Sequence, residues 1–463
     1  MKLGKGIIQV FLANIVNLII SIGNGFLLPK YLSVESYAGI KTFLLYTSYV
    51  GVLPLGYVDG IYIKYGGRSK SEIDVEEFAH EKKVLFLFQL VISLPIMLMA
   101  LFLGDSNLLC VSISILPINM VSFFRLAYQA TGEFKEYRRI TNLSSVLIFV
   151  SNLIFLFIIK TDIFLWYIGM QIVVTFIVWI YYEYRNRIVN ICNKISLKEM
   201  WAYLYENIQL GIIVMLGSFM GVWITSIDRW FVKLLYSVAD FAYYSFAVTM
   251  LRLINVVITA FSVTLYNFFC KKPGDEEIAM LRKIVLVVGA AIIAIIFPLK
   301  FVIQTYLEKY IYAISVIKTL FIAQFVLIEI NAVYLNLYKA LNLQKKYLIR
   351  MVVITITAFF LNGVIGYLWN NIIAYAVATL LTAFIWLILC QIDLPEYKMA
   401  HSEWLYLLET IPIYFLCNFF NMWIGMAIYV SWIIVETFLL FPKDVKRLLR
   451  TSLNWYDKKE GRE

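Results

Sequence analysis

Long apolar runs recur along the whole chain, and they restrict what it can fold into more than any other feature. Each of fourteen runs, typically bounded by charge clusters, suits a helix of about 20 residues crossing a hydrocarbon core of roughly 30 Å. Hydrophobic residues make up 62% of the 463 positions and charged residues only 15%, a balance that no water-soluble domain of this size tolerates. Barrel strands would alternate in polarity instead. The sequence therefore predicts an all-α polytopic membrane protein with about 14 transmembrane helices.

The charges that flank these runs predict on which side of the membrane each loop lies. With the N-terminus inside, 31 of the 40 Lys and Arg residues fall on the cytoplasmic side, 7 fall outside, and Arg252 and Lys318 lie within spans. Such an excess is typical of cytoplasmic loops, so both termini are predicted to be cytoplasmic. The net charge of +10 suits anionic lipid headgroups and needs no nucleic-acid partner. The predicted spans are 7–28, 39–63, 84–103, 107–128, 142–160, 163–184, 208–227, 240–269, 284–303, 311–337, 347–368, 371–391, 404–420 and 423–441.

A short motif occurs twice and predicts two similar halves. The six predicted spans between its copies make both halves run in the same direction, as in parallel transporter repeats. The predicted domains are an N-terminal six-helix lobe (1–190), a C-terminal six-helix lobe (191–395), two additional transmembrane helices (396–441) and a basic cytoplasmic tail (442–463). For the tail, an amphipathic surface helix and a solvated segment both stay open. The matching residues are Tyr128, Ala130, Lys135 and Tyr137 with Tyr338, Ala340, Lys345 and Tyr347; Ser33, Val34 and Ala38 with Ser237, Val238 and Ala242; and Asn152 with Asn362.

Cysteines and histidines indicate no catalytic or metal site. The two histidines, His80 and His401, lie in charged connecting segments. We therefore predict no disulfide framework, metal ion, Ser/His catalytic site or cofactor. The five cysteines are scattered without C-x-x-C spacing: Cys110, Cys192, Cys270, Cys390 and Cys417.

Four segments resemble one family of membrane proteins. The stretch from Phe26 to Gly39 resembles the opening of bacterial O-antigen and polysaccharide flippases, whose first outer turn commonly reads P-x-x-L-[ST]-x-x-x-[YF]-G, although Ala38 intervenes here before Gly39. The segment from Ser226 to Tyr244 is similar to the family's seventh span and the turn beyond it. Both Tyr-x-Ala-x4-Lys-x-Tyr copies resemble its inner loops after spans four and ten. The resemblance implies the polysaccharide branch of the multidrug, oligosaccharidyl-lipid and polysaccharide exporter superfamily, whose lipid II flippases also have fourteen spans.

This resemblance implies a transport function. Members of the branch move undecaprenyl-diphosphate-linked glycan repeat units from the cytoplasmic to the outer leaflet of the bacterial inner membrane, and two lobes imply alternating access. The implied partners are the lipid-linked glycan, membrane lipids, and the polysaccharide polymerase and chain-length machinery of O-antigen and lipopolysaccharide synthesis. The resemblance implies no enzymatic activity.

Cations within spans are the main candidates for binding such a substrate, because a charge in the membrane costs roughly 2.5–3.5 kcal/mol on insertion scales. Arg252 lies near the middle of span eight, Lys318 in span ten and Arg125 near the inner end of span four. Each has a structural alternative. Arg252 can pair with Glu329, and Lys318 can snorkel outward. For Arg125, a structural salt bridge with Asp59 is the favoured interpretation.

Uncharged polar residues in the first span form a second candidate group. Asn14, Asn17 and Asn24 lie broadly on one helix face, since their spacings are three and seven. They can bind sugar hydroxyls or hydrogen-bond to a neighbouring helix, and the sequence favours neither.

Four further charged residues suggest gating and coupling sites. Asp228 and Arg229 lie at the outer end of span seven, where they form either an outer gate or ordinary interfacial polarity. Glu329, deep in span ten, and Asp59, in span two, are candidates for coupling transport to protons or sodium, since burial makes a carboxyl group sensitive to its surroundings.

Three other functional classes fit the sequence less well. A membrane glycosyltransferase or glycan polymerase needs catalytic groups outside, whereas the outer connections are short and the first outer turn offers only Glu35. A multidrug or cation exporter of the same fold is the runner-up, but cations within spans repel cationic drugs. A non-transport scaffold does not need Arg252 in mid-membrane.

Overall fold

The described part of the chain is built from helices that cross the membrane. The structure is a computed structural model that describes residues 2–186, 195–269 and 274–446. Side chains are described throughout these ranges except at residues 2–15, 18, 70, 256–264 and 266–267. Within these ranges there are no strands. Ten helical stretches are long and apolar enough to span a membrane, and one bent helix pair, Val34–Val52 with Tyr57–Lys64, forms a further candidate span. Together with the helices Lys2–Tyr31, Val238–Phe269 and His401–Cys417, they match the predicted number of 14 spans. The prediction of an all-α multi-pass membrane protein is confirmed.

The first of two compact units covers Met1–Ser226. Its helices α5, α6 and α7 pack on one another, and α1 packs along α6. The helices are α1 (Lys2–Tyr31), α2 (Val34–Thr47), α3 (Tyr57–Lys64), α4 (Val75–Leu103), α5 (Ser106–Ala130), α6 (Phe134–Leu153, with a π-helical end at Ile154–Ile159), α7 (Phe164–Asn186) and α8 (Leu197–Ile224).

The second unit covers Ile227–Glu463. Its most buried helix, α13, packs against α10, α11 and α16. The helices are α9 (Ile227–Leu235), α10 (Val238–Phe269), α11 (Asp275–Ile293), α12 (Ile296–Tyr306), α13 (Ala313–Glu329, followed by a π-helical turn at Ile330–Tyr334), α14 (Leu335–Ala340), α15 (Gln344–Leu368), α16 (Ile373–Asp393), α17 (His401–Cys417) and α18 (Met422–Leu440).

The repeated motif adopts the same turn in both units. In the first unit the Glu133 amide donates to the Tyr128 carbonyl oxygen at 2.8 Å, and in the second the Leu343 amide donates to the Tyr338 carbonyl oxygen at 2.8 Å. The residue that closes each helix has a left-handed backbone, with φ of 73° at Gly132 and 57° at the equivalent asparagine. Such a residue caps a helix end by satisfying its last carbonyl groups.

The matching segments at Ser33 and Ser237 also have the same structure, because each begins a helix. The Ser36 amide donates to the Ser33 hydroxyl at 3.2 Å, and the Asp240 amide donates to the Ser237 hydroxyl at 3.1 Å. Both serines act as N-caps, a role their side chains favour. The turns and helix caps that recur in both units therefore support the predicted pair of parallel six-helix lobes.

The repeated tyrosines join helices at corresponding places. The Tyr128 hydroxyl donates to Oδ1 of Asn186 at 3.0 Å, linking the ends of α5 and α7. The Tyr338 hydroxyl donates to Oδ2 of Asp393 at 2.6 Å, linking the ends of α14 and α16. Arg350 holds the same aspartate through two hydrogen bonds of 2.6 Å. The repeated motif thus fixes equivalent helix ends in the two units.

The two tyrosines predict a measurable difference per hydrogen bond between the repeats. Tyr338→Phe removes a hydrogen bond to a charged acceptor, expected to contribute about 1.5–3 kcal/mol, whereas Tyr128→Phe removes two hydrogen bonds with the neutral Asn186 amide, each expected to contribute about 0.5–1.5 kcal/mol. Thermal unfolding of the purified variants in detergent measures both losses. A loss in Tyr338→Phe of half the loss in Tyr128→Phe, or less, would show that the charge of Asp393 adds nothing to its hydrogen bond.

Helices α3 and α8 approach each other more closely than side chains allow. A Cβ atom added to Gly60 would lie 2.0 Å from the Asn207 carbonyl oxygen, and one added to Gly211 would lie 2.0 Å from the Gly56 carbonyl oxygen. Small residues permit this kind of contact between membrane helices. As a result α8, which follows the predicted boundary at residue 190, packs on α3 and α4 of the first unit.

The two added helices, α17 and α18, pack against α11, α12 and α13 in the second unit. Their main polar attachment is buried: Nε and Nη2 of Arg282 donate to the Glu403 carboxylate at 3.0 and 2.9 Å. Nη1 of Arg282 donates to the Tyr397 carbonyl oxygen at 2.9 Å. The domain limits at 190, 395 and 441 stay predictions, and the tail beyond residue 446 lies outside the described residues.

Candidate functional site

Helix α10 carries the strongest candidate residue, Arg252. The first half of this helix is enclosed by the protein, with Tyr244, Phe246 and Ala247 fully buried. Arg252 and Asn255, farther along the same helix, are exposed. Charged groups within spans face the bundle interior or a water-filled cavity, because contact with lipid tails is costly. The exposed face of α10 is therefore a polar surface within an apolar span.

A buried glutamine on α13 adjoins this face. Nε2 of Gln324 donates to Oδ1 of Asn255 at 2.6 Å, so the two amides form a pair between α10 and α13. Lys318, six residues earlier on α13, is half-buried. Six residues correspond to about 9 Å along a helix axis. We call Arg252, Asn255, Gln324 and Lys318 the polar strip of the second unit.

Sequence reasoning identified only part of this strip. Arg252 and Lys318 were predicted as substrate-binding residues because charges within spans are conspicuous. Asn255 and Gln324 were missed, since single amides in apolar runs are common and sequence spacing does not show which helices meet. The one available signal was that Asn255 follows Arg252 by three residues, which places both on one helix face.

Glu329 ends α13 in a fully enclosed position. Its exposure is 0%, and neither carboxylate oxygen has a hydrogen-bond partner among the described residues. The alternative expectation that Arg252 pairs with Glu329 is wrong, because Arg252 is exposed and no ion pair joins these two described residues. Arg282, which acts on Glu329 electrostatically, is instead bound to Glu403.

Asp228 lies in the interior of the second unit. It is 5% exposed, its Oδ2 accepts a hydrogen bond from the Tyr244 hydroxyl at 2.8 Å, and its Oδ1 accepts from the Arg229 amide at 2.7 Å. These contacts connect the start of α9 to α10. The role of Asp228 and Arg229 in an outer gate stays a prediction.

In the first unit, the asparagines of α1 differ in their surroundings. Oδ1 of Asn24 accepts a hydrogen bond from Nδ2 of Asn152 at 3.0 Å, which joins α1 to α6. Oδ1 of Asn17 is enclosed and has no hydrogen-bond partner among the described residues. The side chain of Asn14 lies outside the described residues. Asn24 thus makes the interhelical contact that the sequence left as one of two alternatives.

The predicted salt bridge between Arg125 and Asp59 is wrong. Both side chains are described and half-buried, and no nitrogen of Arg125 lies within 4.0 Å of the Asp59 carboxylate. Depth in the membrane suggested the pair, but two residues at one depth meet only if their helices present the right faces. The roles of Arg125 in substrate binding and Asp59 in coupling stay predictions.

A buried charge cluster in the first unit was missed by sequence reasoning. Nζ of Lys64 lies 2.7 Å from the Glu77 carboxylate, 2.8 Å from Glu81 and 3.1 Å from Glu206. Burial and the neighbouring Glu81 carboxylate raise the pKa of the Tyr65 hydroxyl. This hydroxyl donates a hydrogen bond to Oε2 of Glu81 at 2.6 Å. The cluster joins α3, α4 and α8 and forms a structural anchor for α8.

Two solved structures of membrane proteins share this fold. The lipid II flippase MurJ, in an inward-closed conformation, matches with a TM-score of 0.66 at 15% identity, over 95% of this chain and 99% of that chain. A multidrug resistance MATE family transporter of the MOP superfamily, in an inward-facing conformation, matches with a TM-score of 0.56 at 15% identity, over 85% of this chain and 99% of that chain. No family model and no curated protein sequence matches this chain.

Proposed function

We propose that this protein is a flippase that moves undecaprenyl-diphosphate-linked oligosaccharide repeat units from the cytoplasmic to the outer leaflet of a bacterial inner membrane. The observation that carries the proposal is the exposed Arg252 on α10, with a second cation, Lys318, on the neighbouring α13. A lipid diphosphate brings about two negative charges that cannot enter hydrocarbon uncompensated. The polar strip supplies cations and amide groups for that headgroup.

The remaining parts of the proposal follow from the repeat and the charge distribution. Two parallel lobes support alternating access, in which the headgroup is bound from one side and released on the other while the prenyl chain stays in lipid. The excess of inner positive charge supports cytoplasmic termini. Arg125 and the asparagines of α1 are proposed to contact the headgroup or its sugars, and Asp228 with Arg229 to close an outer gate. The fold shared with a lipid II flippase supports a lipid-linked cargo, and O-antigen or related polysaccharide synthesis, with its polymerase and chain-length machinery, is the proposed context.

Transport in proteoliposomes tests this function. Purified protein is expected to translocate a fluorescent undecaprenyl-diphosphate oligosaccharide and to leave a cationic dye in place. The same vesicles distinguish the alternative, a multidrug or cation exporter. Movement of the dye without movement of the lipid would favour that exporter and exclude the flippase.

Glu329 is proposed to couple transport to protons, with Asp59 as a second candidate for ion coupling. An ionised carboxylate with no hydrogen-bond partner in a fully enclosed position costs several kcal/mol, so the enclosed form of Glu329 is expected to hold a proton. Glu329→Gln keeps the size of the side chain but cannot release a proton. We expect this variant to bind the lipid normally while its translocation no longer responds to an imposed pH gradient. Asp59→Asn is tested in parallel, and an unchanged response in Glu329→Gln would remove Glu329 from the coupling step.

A further inference from the structure

Glu329, Arg282 and Glu403 form a buried charge group in the second unit. Each is at most 4% exposed, and the helices that carry them, α13, α11 and α17, pack on one another. Arg282 and Glu403 are the described charged residues that act on Glu329 electrostatically. The group therefore contains two carboxyl groups but only one cation.

In the arrangement that the structure shows, Glu403 holds the cation. Nε and Nη2 of Arg282 donate to its carboxylate at 3.0 and 2.9 Å, whereas neither oxygen of Glu329 has a hydrogen-bond partner among the described residues. Two ionised carboxylates beside one guanidinium would leave a buried charge uncompensated, which is costly. One proton is therefore expected in the group, and in this arrangement it belongs to Glu329.

The same three side chains permit a second arrangement. A guanidinium has five N–H donors, and Arg282 uses three of them on described residues, two on Glu403 and one on the Tyr397 carbonyl oxygen at 2.9 Å. Two donors thus remain for Glu329. The Tyr334 hydroxyl, which interacts electrostatically with all three members of the group, also donates to the Tyr397 oxygen at 3.1 Å. If Arg282 pairs with Glu329 while Glu403 binds a proton, the group keeps the same net charge.

This second arrangement would change how α17 is held. The pair of Arg282 with Glu403 joins α11 to α17, so a guanidinium that turns to Glu329 no longer holds that helix. Glu329 is followed directly by the π-helical turn Ile330–Tyr334, and such turns occur frequently at functional sites. The position of the proton is thereby linked to the packing of the added helices.

We propose that Glu329 and Glu403 exchange one proton against one guanidinium. When Glu329 loses its proton it pairs with Arg282, and Glu403 takes up a proton and releases α17. The inference rests on the coupling role proposed for Glu329 and adds a regulatory part to it. Glu403 is a positioning residue that acts through Arg282.

Infrared spectroscopy of the full-length protein in lipid tests the exchange, because a protonated carboxyl group absorbs separately from a carboxylate. The unsubstituted protein is expected to show a protonated-carboxyl band that Glu329→Gln lacks, which assigns the band to Glu329. Glu403→Gln is expected to lose the same band, because Arg282 then pairs with Glu329 and ionises it. Persistence of the band in Glu403→Gln would overturn the proposal.

Glu396→Gln is the matched control. Glu396 lies seven residues before Glu403, and its side chain is exposed. This substitution removes a carboxyl group close to the start of α17 without touching the charge group, so we expect the Glu329 band to stay unchanged. Loss of the band in Glu396→Gln as well would show that the effect of Glu403→Gln is a general disturbance of α17, which also contradicts the exchange.

Thermal unfolding in detergent gives a second readout. Glu403→Gln is expected to fold, because Glu329 replaces Glu403 as the partner of Arg282 and glutamine still offers an oxygen to the Ala400 amide. Combining Glu329→Gln with Glu403→Gln leaves the guanidinium buried without a carboxylate, so the unfolding temperature is expected to fall by more than the sum of the two single changes. Additive changes, or failure of Glu403→Gln to fold, would contradict the exchange.

The same spectra separate this proposal from the function on which it rests. Absence of a Glu329 band from the unsubstituted protein would contradict the proton on Glu329, and with it both the coupling role and the exchange. Persistence of the band in Glu403→Gln would contradict the exchange alone. Movement of the fluorescent lipid in proteoliposomes tests the flippase itself and does not depend on either result.

Discussion

Replacing both Arg252 and Lys318 with glutamine is expected to reduce export of a lipid-linked diphosphate glycan at least about a hundredfold, since each contact to a charged group contributes about 1.5–3 kcal/mol and ~1.4 kcal/mol is a factor of ten. The measurement is surface glycan in cells whose own flippase has been replaced by the variant. Both side chains lie on described helices of the second unit, α10 and α13, which pack together. The change removes charge while keeping polar side chains of similar length.

Two controls make this result specific. Lys345→Gln with Lys346→Gln removes the same number of charges from exposed positions at the start of α15 and is expected to leave export unchanged. Immunoblotting and thermal unfolding in detergent establish that each variant inserts and folds. Normal export by the Arg252 and Lys318 double variant would defeat the idea of a cationic binding surface.

Replacing Lys64 with methionine is expected to cause the largest loss of stability, about 3–5 kcal/mol, because removing one partner leaves an uncompensated buried charge. Lys64 is the one cation within 4 Å of Glu77, Glu81 and Glu206 among the described residues, and the Glu81 side chain is 0% exposed. The substitution would remove the cation that joins α3 to the carboxylates of α4 and α8. The fraction of monodisperse protein after heating in detergent, followed by size-exclusion chromatography, measures this effect.

Lys83→Met serves as the control for Lys64→Met. Lys83 lies on α4, the helix that carries Glu77 and Glu81, but its side chain is exposed and makes no ion pair with a described residue. We expect it to unfold at the same temperature as the unsubstituted protein. If Lys64→Met did the same, the cluster would have to be regarded as a surface feature with little effect on stability.

The features that sequence predicted well depend on local pattern. Long apolar runs predicted the all-α multi-pass fold, because a helix satisfies its own backbone groups in lipid. The motif at Tyr128 and Tyr338 predicted the repeat, and the structure shows equal hydrogen bonds at both places. Turns and caps are set by a few neighbouring residues, so their signals survive in the sequence.

The features that sequence missed or mistook depend on which helix faces meet. Arg282 and Glu403 are 121 residues apart in the sequence, yet they form a buried ion pair. Arg125 and Asp59 were paired by depth, but their helix faces do not bring them together. Asn255 carried no signal on its own, because its contact with Gln324 exists only after α10 packs on α13.

The most direct test of the central claim compares Arg252→Lys with Arg252→Gln in proteoliposomes, by the initial rate at which a fluorescent undecaprenyl-diphosphate oligosaccharide crosses the bilayer. A lysine keeps the charge but loses the planar donor set, so we expect it to retain roughly a tenth of the rate. Glutamine loses the charge, so we expect a rate at least about ten times lower again, with the unsubstituted protein fastest. Equal rates for the three proteins would contradict a flippase that binds its anionic headgroup through Arg252.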